Sequence, residues 1–187
     1  MEMSRIIRDD PSPSGNGAIV MNTRRQLSMY VPATESCQLE AVRQVLDPVQ
    51  AALIPAHVTL CREDEIGHLS VTEVEVRLRK SEAQPITLGF GRPVTFQGHG
   101  VVLPCVAGEQ AFHQLRAQVL GTSAIRRHAP HITLAHPRNP PPSHESVADA
   151  LGLLENLSFT FDTIASIEQV GAARPWRVLQ EFTLTRR

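Results

Sequence analysis

Long apolar runs are missing from this chain of 187 residues. No stretch approaches the ~18 consecutive apolar residues of a membrane span, so no membrane partner is expected. A strong charge of either sign is missing too. Eighteen Lys and Arg against 19 Asp and Glu leave a formal net charge of −1, which excludes the global basic field that grips long duplexes non-specifically. A local basic groove stays open, because Arg24-Arg25, Arg126-Arg127 and Arg186-Arg187 are clustered. Aromatic residues are scarce, Tyr30 and Trp176 being the only Tyr and Trp, so a long platform for stacked bases is excluded. Cysteines are few and odd in number. Cys37, Cys61 and Cys105 lack metal-type spacing and read as reduced thiols of a cytoplasmic protein. The N-terminal segment has no apolar core of a secretory signal, which points to the same compartment. The length fits one domain, or one domain of two lobes, expected to be a monomer.

What is present is a repeat. His57-Val58-Thr59-Leu60 returns as His131-Ile132-Thr133-Leu134, 74 positions later (131 minus 57). In an extended strand, successive side chains point to opposite faces. Each copy therefore presents a histidine and a threonine on one face and buries two aliphatic residues on the other.

The surroundings repeat as well. Residues 1–22 are turn and breaker chemistry, Asp10-Pro11-Ser12-Pro13-Ser14-Gly15 above all, and predict a flexible leader ahead of a bilobal domain over 23–187. A strand over 26–31 precedes a helix capped by Thr34 or Ser36, with Leu39, Val42, Leu46 and Val49 as its stripe and Pro48 ending or kinking it. After the first motif, Ser70-Val71-Thr72-Glu73 has capping-box form and predicts a helix over 72–80. A long strand over 85–97, with bends at Gly89 and Gly91, turns at Gly98-His99-Gly100 into a strand over 101–106. The order then starts again: a helix over 109–120 striped by Phe112, Leu115 and Val119, the second motif, a stiff Pro137–Pro142 loop, a helix from near Ser143, one strand over 158–170, and a last strand over 177–185. Shifted by 74, the first set of elements lands on the second. The fold expected is α+β and bilobal, with duplicated βαβαβ-like units related by a pseudo-two-fold axis around a central cleft.

One His-x-Thr in a strand is ordinary core chemistry. Two, at matching places of a repeat, make a site that holds a phosphate and moves two protons. Chemistry at a bound phosphate that moves two protons needs one group to take a proton and another to give one. Imidazole, with an ordinary pKa near ~6.5, serves as either. His57 and His131 are the candidate acid/base pair, with Thr59 and Thr133 donating to the non-bridging oxygens where charge builds. Which histidine is the base is not legible from the sequence.

The paired tetrapeptides resemble the 2H phosphoesterase superfamily, which includes the 2′–5′ RNA ligase-like proteins and cyclic nucleotide phosphodiesterases. The resemblance spans about residues 26–185 and implies no metal, no cofactor, and a 2′,3′-cyclic phosphate or 2′,5′-linked substrate in a nucleotide or at an RNA end. Arg62, Arg127 and Arg138 flank the motifs and are candidates for substrate phosphate, as is Arg126; Tyr30 and Trp176 are candidates for stacking a base. Three other readings stand beside this one: a cyclic phosphate derived from ADP-ribose as substrate, a nucleotide- or RNA-binding module without chemistry, and a zinc site made by His57, His131 and His136. Against zinc, no carboxylate or Cys–His cluster sits at ligand spacing. His99 and His113 read as surface residues, and His68, His128 and His144 as residues of loops or element ends.

Overall fold

Apolar alternation and helical stripes set the elements found in the computed structural model, which describes residues 23–96, 100–154 and 156–185. The leader over 1–22, the turn at His99 and the Arg186-Arg187 pair lie outside the described residues, as does the side chain of Leu151. The first half forms β1 (Thr23–Tyr30), α1 (Cys37–Leu46), α2 (Pro48–Leu53), β2 (His57–Cys61), α3 (Glu63–Ile66), α4 (Val71–Lys80) and β3 (Ile86–Phe90), followed by β4 (Val94–Phe96). The second half forms β5 (Gly100–Ala107), α5 (Glu109–Leu120), β6 (His131–Ala135), α6 (His144–Leu153) and β7 (Leu157–Phe161), and β8 (Thr163–Val170) and β9 (Arg177–Thr183) complete it. Displaced by 74 positions, β2 falls on β6 residue for residue.

Three expected elements are divided. Pro48 does end a helix, but it also starts the next one: Asp47 accepts from the Gln50 N–H at 2.8 Å, and Pro48 takes the first turn, where no N–H is needed. Val49 is accordingly exposed rather than part of the α1 stripe. The strand over 85–97 breaks between Phe90 and Val94, where Gly91-Arg92-Pro93 interrupts the ladder. The strand over 158–170 breaks at Asp162, and its buried residues change phase there, from Phe159 and Phe161 to Ile164. That break sends β7 to pair with β3 and β8 to pair with β1.

The strands make one sheet in the order β7-β3-β5-β6-β2-β1-β8-β9, with β4 beside β5. Every pairing among the described residues is antiparallel. The two lobes meet at β2 and β6, and they interlock, because β3 of the first half joins β5 of the second while β8 returns to β1. α1, α4 and α5 bury Leu39, Val42, Leu46, Val74, Leu78, Phe112, Leu115 and Val119 against one face of the sheet, where Met29, Val58, Leu60, Leu103, Ile132 and Leu134 await them. Each such side chain contributes about 1.5–3 kcal/mol on burial.

The Ser70 capping box is formed as expected: the Ser70 hydroxyl accepts from the Glu73 N–H at 3.2 Å, and the Ser70 N–H donates to Glu73 Oε2 at 2.8 Å. Ser70→Ala should lower stability by ~1 kcal/mol, measured by urea unfolding, with no effect on the distant motif strands. Among the described residues, no helix is long and apolar enough to cross a membrane.

Candidate active site

The site is built by one registered pair. Val58 and Ile132 oppose each other across β2 and β6, and both are fully buried. Antiparallel counting from that pair sets His57 opposite Thr133 and Thr59 opposite His131, all four on the face the helices leave uncovered. All four are half-buried. Directly opposed Cβ atoms lie roughly 4.5–5.5 Å apart and diagonal ones roughly 7–8 Å, which brings the four side chains into one cluster. The two motifs stand side by side on adjacent strands, with the pseudo-two-fold axis passing between them.

The repeat holds here in detail. β1 pairs with β2 as Tyr30↔His57 and Ser28↔Thr59, and β5 pairs with β6 as Pro104↔His131 and Val102↔Thr133. Register shifts fall between Leu27 and Ser28 and between Val101 and Val102, again 74 apart. Each shift opposes two motif-strand residues to one neighbour. This is why Leu60-Cys61 and Leu134-Ala135 are buried in succession at the strand ends instead of alternating.

The histidines are oriented alike. His57 Nδ1 bonds the Pro55 carbonyl at 2.8 Å, and His131 Nδ1 bonds the Ala129 carbonyl at 3.0 Å. A carbonyl only accepts, so Nδ1 carries the proton in both rings, and in a neutral ring Nε2 keeps its lone pair. Burial, foremost, draws the His57 pKa down to about 4, and the charges of Arg43 and His131 act in the same direction against the Pro55 bond. His57 is therefore a neutral imidazole near pH 7.

His128 also stands at about 4, lowered first by burial and then by the Arg116 charge, and it bonds the Thr59 backbone. The sequence reading placed His113 at the surface, but it is only 6% exposed. The loop before β6 folds back over α5, and the His128 ring packs edge-on to both Phe112 and His113. Unfolded imidazoles titrate near ~6.5. Between about pH 6.5 and 4 the unfolded chain thus binds more protons than the folded one, so stability is complete above that window and declines as pH falls through it. Urea midpoints measured from pH 7.5 to 4.5 should drop from about pH 6.5 downward; a flat profile would contradict the lowered pKa values of His57 and His128.

The family model of the 2′-5′ RNA ligase superfamily matches residues 31–173. The chain belongs to that superfamily. The shared fold extends to solved structures. LigT of E. coli in complex with ATP has 18% identity and a TM-score of 0.60 over 88% of this chain and 99% of that one. A protein solved as a phosphoesterase has 19% identity and a TM-score of 0.55 over 88% and 99%. TT0787 of Thermus thermophilus has 17% identity and a TM-score of 0.52 over 86% and 97%. No curated protein sequence matches the chain. The 2H phosphoesterase resemblance of the paired motifs and the bilobal architecture agree with this membership, which in broad terms is that of phosphodiester-directed enzymes.

Of the other residues singled out in the sequence, Tyr30 meets the site directly. It is the cross-strand neighbour of His57, and its ring stands edge-on to the imidazole with centroids 6.1 Å apart. Burial first, and the Glu181 charge second, raise its phenol to about 12, so it remains a donor. Trp176 is half-buried on the same face, packed with Tyr30 against Ile54, Ala165 and Ile167, and the Arg24 guanidinium lies 5.4 Å from its ring centroid. The arginines divide between the two ends of the motif strands. Arg62, just past β2, and Arg126, before β6, both approach Asp64, at 3.9 and 3.0 Å. Arg127 is exposed in the same loop, and Arg138 is exposed past the other end of β6. His136 follows the end of β6, and its N–H donates to Asp47 at 2.8 Å. Among the described residues, no three His, Cys, Asp or Glu side chains group closely enough to hold a metal ion.

Two side chains beneath the site escaped the sequence reading. Arg43 of α1 and Arg116 of α5 are 1% and 0% exposed. Both interrupt apolar stripes, four positions after Leu39 and Phe112 respectively. A charge at the core position of a helix in each copy was the signal that could have revealed them.

Proposed function

We propose that this protein is a phosphodiesterase that opens 2′,3′-cyclic phosphates or cleaves 2′,5′ linkages in nucleotides or at RNA ends. The observation that carries the reading is the Val58↔Ile132 register, which puts two histidines and two threonines on one face of the central strands. In this reading His57 is the base. Its Nε2 lone pair is available because burial keeps the ring neutral, and an anionic diester beside it raises its proton affinity toward the working range. Water attacks phosphorus as His57 Nε2 takes its proton, the bond to the leaving ribose oxygen breaks, and the His131 Nε2–H gives that oxygen its proton. Thr59 and Thr133 donate to the non-bridging oxygens as they gain charge.

The half-buried rings of Tyr30, beside His57, and Trp176 are backed by the buried Ile54, Ala165 and Ile167, an aromatic surface suited to a base or ribose. Crystal structures of LigT with ATP and with NADP+ support nucleotide-like ligands for this fold. Arg62, Arg126, Arg127 and Arg138 lie at the strand ends, where a longer strand would leave the site.

The test is a panel of 2′,3′-cyclic mononucleotides, 2′,5′-linked dinucleotides and an ADP-ribose-derived cyclic phosphate. Turnover of at least one is expected, and binding without turnover would move the binding-module reading ahead. Turnover should persist at an unchanged rate in excess EDTA. Loss on chelation with recovery on added zinc or manganese would overturn the two-histidine roles.

A further inference from the structure

We propose that Arg43 and Arg116 are positioning residues for the histidine pair, two buried braces that each tie one half of the chain to the motif strand of the other. The strands they serve are weakly joined. Among the described residues, β2 and β6 share one registered pair, whereas β1–β2 and β5–β6 share four each. Yet β2 and β6 are the strands whose spacing sets the site. The missing ladder is replaced by guanidinium groups. Arg43 Nε donates to the Thr133 carbonyl at 3.3 Å, and Arg116 Nε donates to the Leu60 carbonyl at 2.8 Å. Each arginine thus starts in its own half and holds the opposite motif strand.

The remaining nitrogens hold the segments that enter the motifs. Arg43 Nη2 donates to the Ile54 carbonyl at 2.8 Å, three residues before His57. Arg116 Nη1 donates to the Arg126 carbonyl at 2.6 Å, five before His131. A carboxylate secures each fork. Glu40 Oε2 accepts from Arg43 at 2.6 Å while its Oε1 accepts from the Ala56 N–H at 2.5 Å, and Glu65 accepts from Arg116. Replacing each arginine together with its carboxylate by apolar residues would cost the core little, since a buried ion pair is weak evidence for net stability. What the planar fork supplies is geometry: fixed distances from one half's helix to both motif segments at once. Arg43 also places a permanent charge among the groups His57 senses, alongside His131 of β6 and the Pro55 carbonyl, and the Tyr30 ring of β1 stands edge-on to the imidazole.

The test uses Arg43→Lys, Arg43→Met and Arg116→Lys, with kinetics on the diester turned over by the wild type and NMR titration of the His57 imidazole. Arg43→Lys and Arg116→Lys keep a charge but lose the fork. They should lower kcat by on the order of 10²-fold, as expected for a small misplacement of reacting groups, while KM stays within about two-fold. Arg43→Met should in addition raise the His57 titration midpoint above about 4, by on the order of one pH unit; Arg43→Lys should leave it in place. A purely structural role predicts lost stability with neither signature. Folded variants with wild-type kcat and an unmoved His57 titration overturn the proposal. If Arg43→Met does not fold, the two lysine variants decide. The kinetic arm rests on the phosphodiesterase reading, but the titration needs no substrate, so failure of one is distinguishable from failure of the other.

Discussion

His57→Ala and His131→Ala should each lower kcat on a cyclic phosphodiester by about 10²–10⁴-fold, the usual contribution of one positioned acid or base, and the double variant should fall little further. The two rings stand on adjacent strands around one proposed phosphate position, with the same ring nitrogen anchored to a carbonyl two residues upstream. Groups that act in a single step are strongly non-additive, because once either proton transfer is lost the other has nothing to couple to. Thr59→Ala and Thr133→Ala should have smaller effects, since each removes one donor to the developing charge. Circular dichroism should be unchanged in all of these, as the four side chains are half-buried on the uncovered face and the core pair between them is Val58 and Ile132. One ring needed neutral and one protonated also predicts a bell-shaped kcat/KM against pH, whose limbs belong to the pair. A folded His131→Ala protein with near wild-type turnover would remove the pair from the mechanism.

Arg116→Met should destabilise the fold by about 3–5 kcal/mol, the range found when one partner of a buried ion pair is removed and the other is left behind. Glu65 would lose its cation with its side chain only 11% exposed, and the Leu60 and Arg126 carbonyls would lose their donors. Arg116→Met combined with Glu65→Gln should recover part of the loss, because the stranded charge is then gone. Urea unfolding of the two variants measures both terms. A single-variant loss below about 1 kcal/mol would mean that the brace contributes nothing to the folded state.

Much of the candidate site is legible in the sequence. The motif repeat, its 74-residue offset, the Ser70 cap and the boundaries of α5 follow from short-range chemistry: alternation in a strand, a hydroxyl that satisfies an exposed N–H, and an apolar stripe at helical spacing. Where the reading missed, long-range contacts were in control. The phase change at Asp162 is visible in the apolar pattern, yet what makes it a break is that Leu157–Phe161 belongs beside β3 and Thr163–Val170 beside β1. His113 sits on a helix with no local sign of burial, and the loop that covers it lies further along the chain.

The sequence alone therefore determined which groups are available: two imidazoles and two hydroxyls, each pair on one face of a strand, within a duplicated α+β chain of nearly balanced charge. Only the tertiary structure decided how those groups meet. It placed His57 opposite Thr133 and Thr59 opposite His131, because strand register is set by the buried Val58–Ile132 contact between segments far apart in sequence. It set Tyr30 beside one histidine and Pro104 beside the other, making two like motifs unlike. It also brought Arg43 and Arg116 under the seam, since a guanidinium becomes a brace only where carbonyls from another part of the chain come within hydrogen-bond reach.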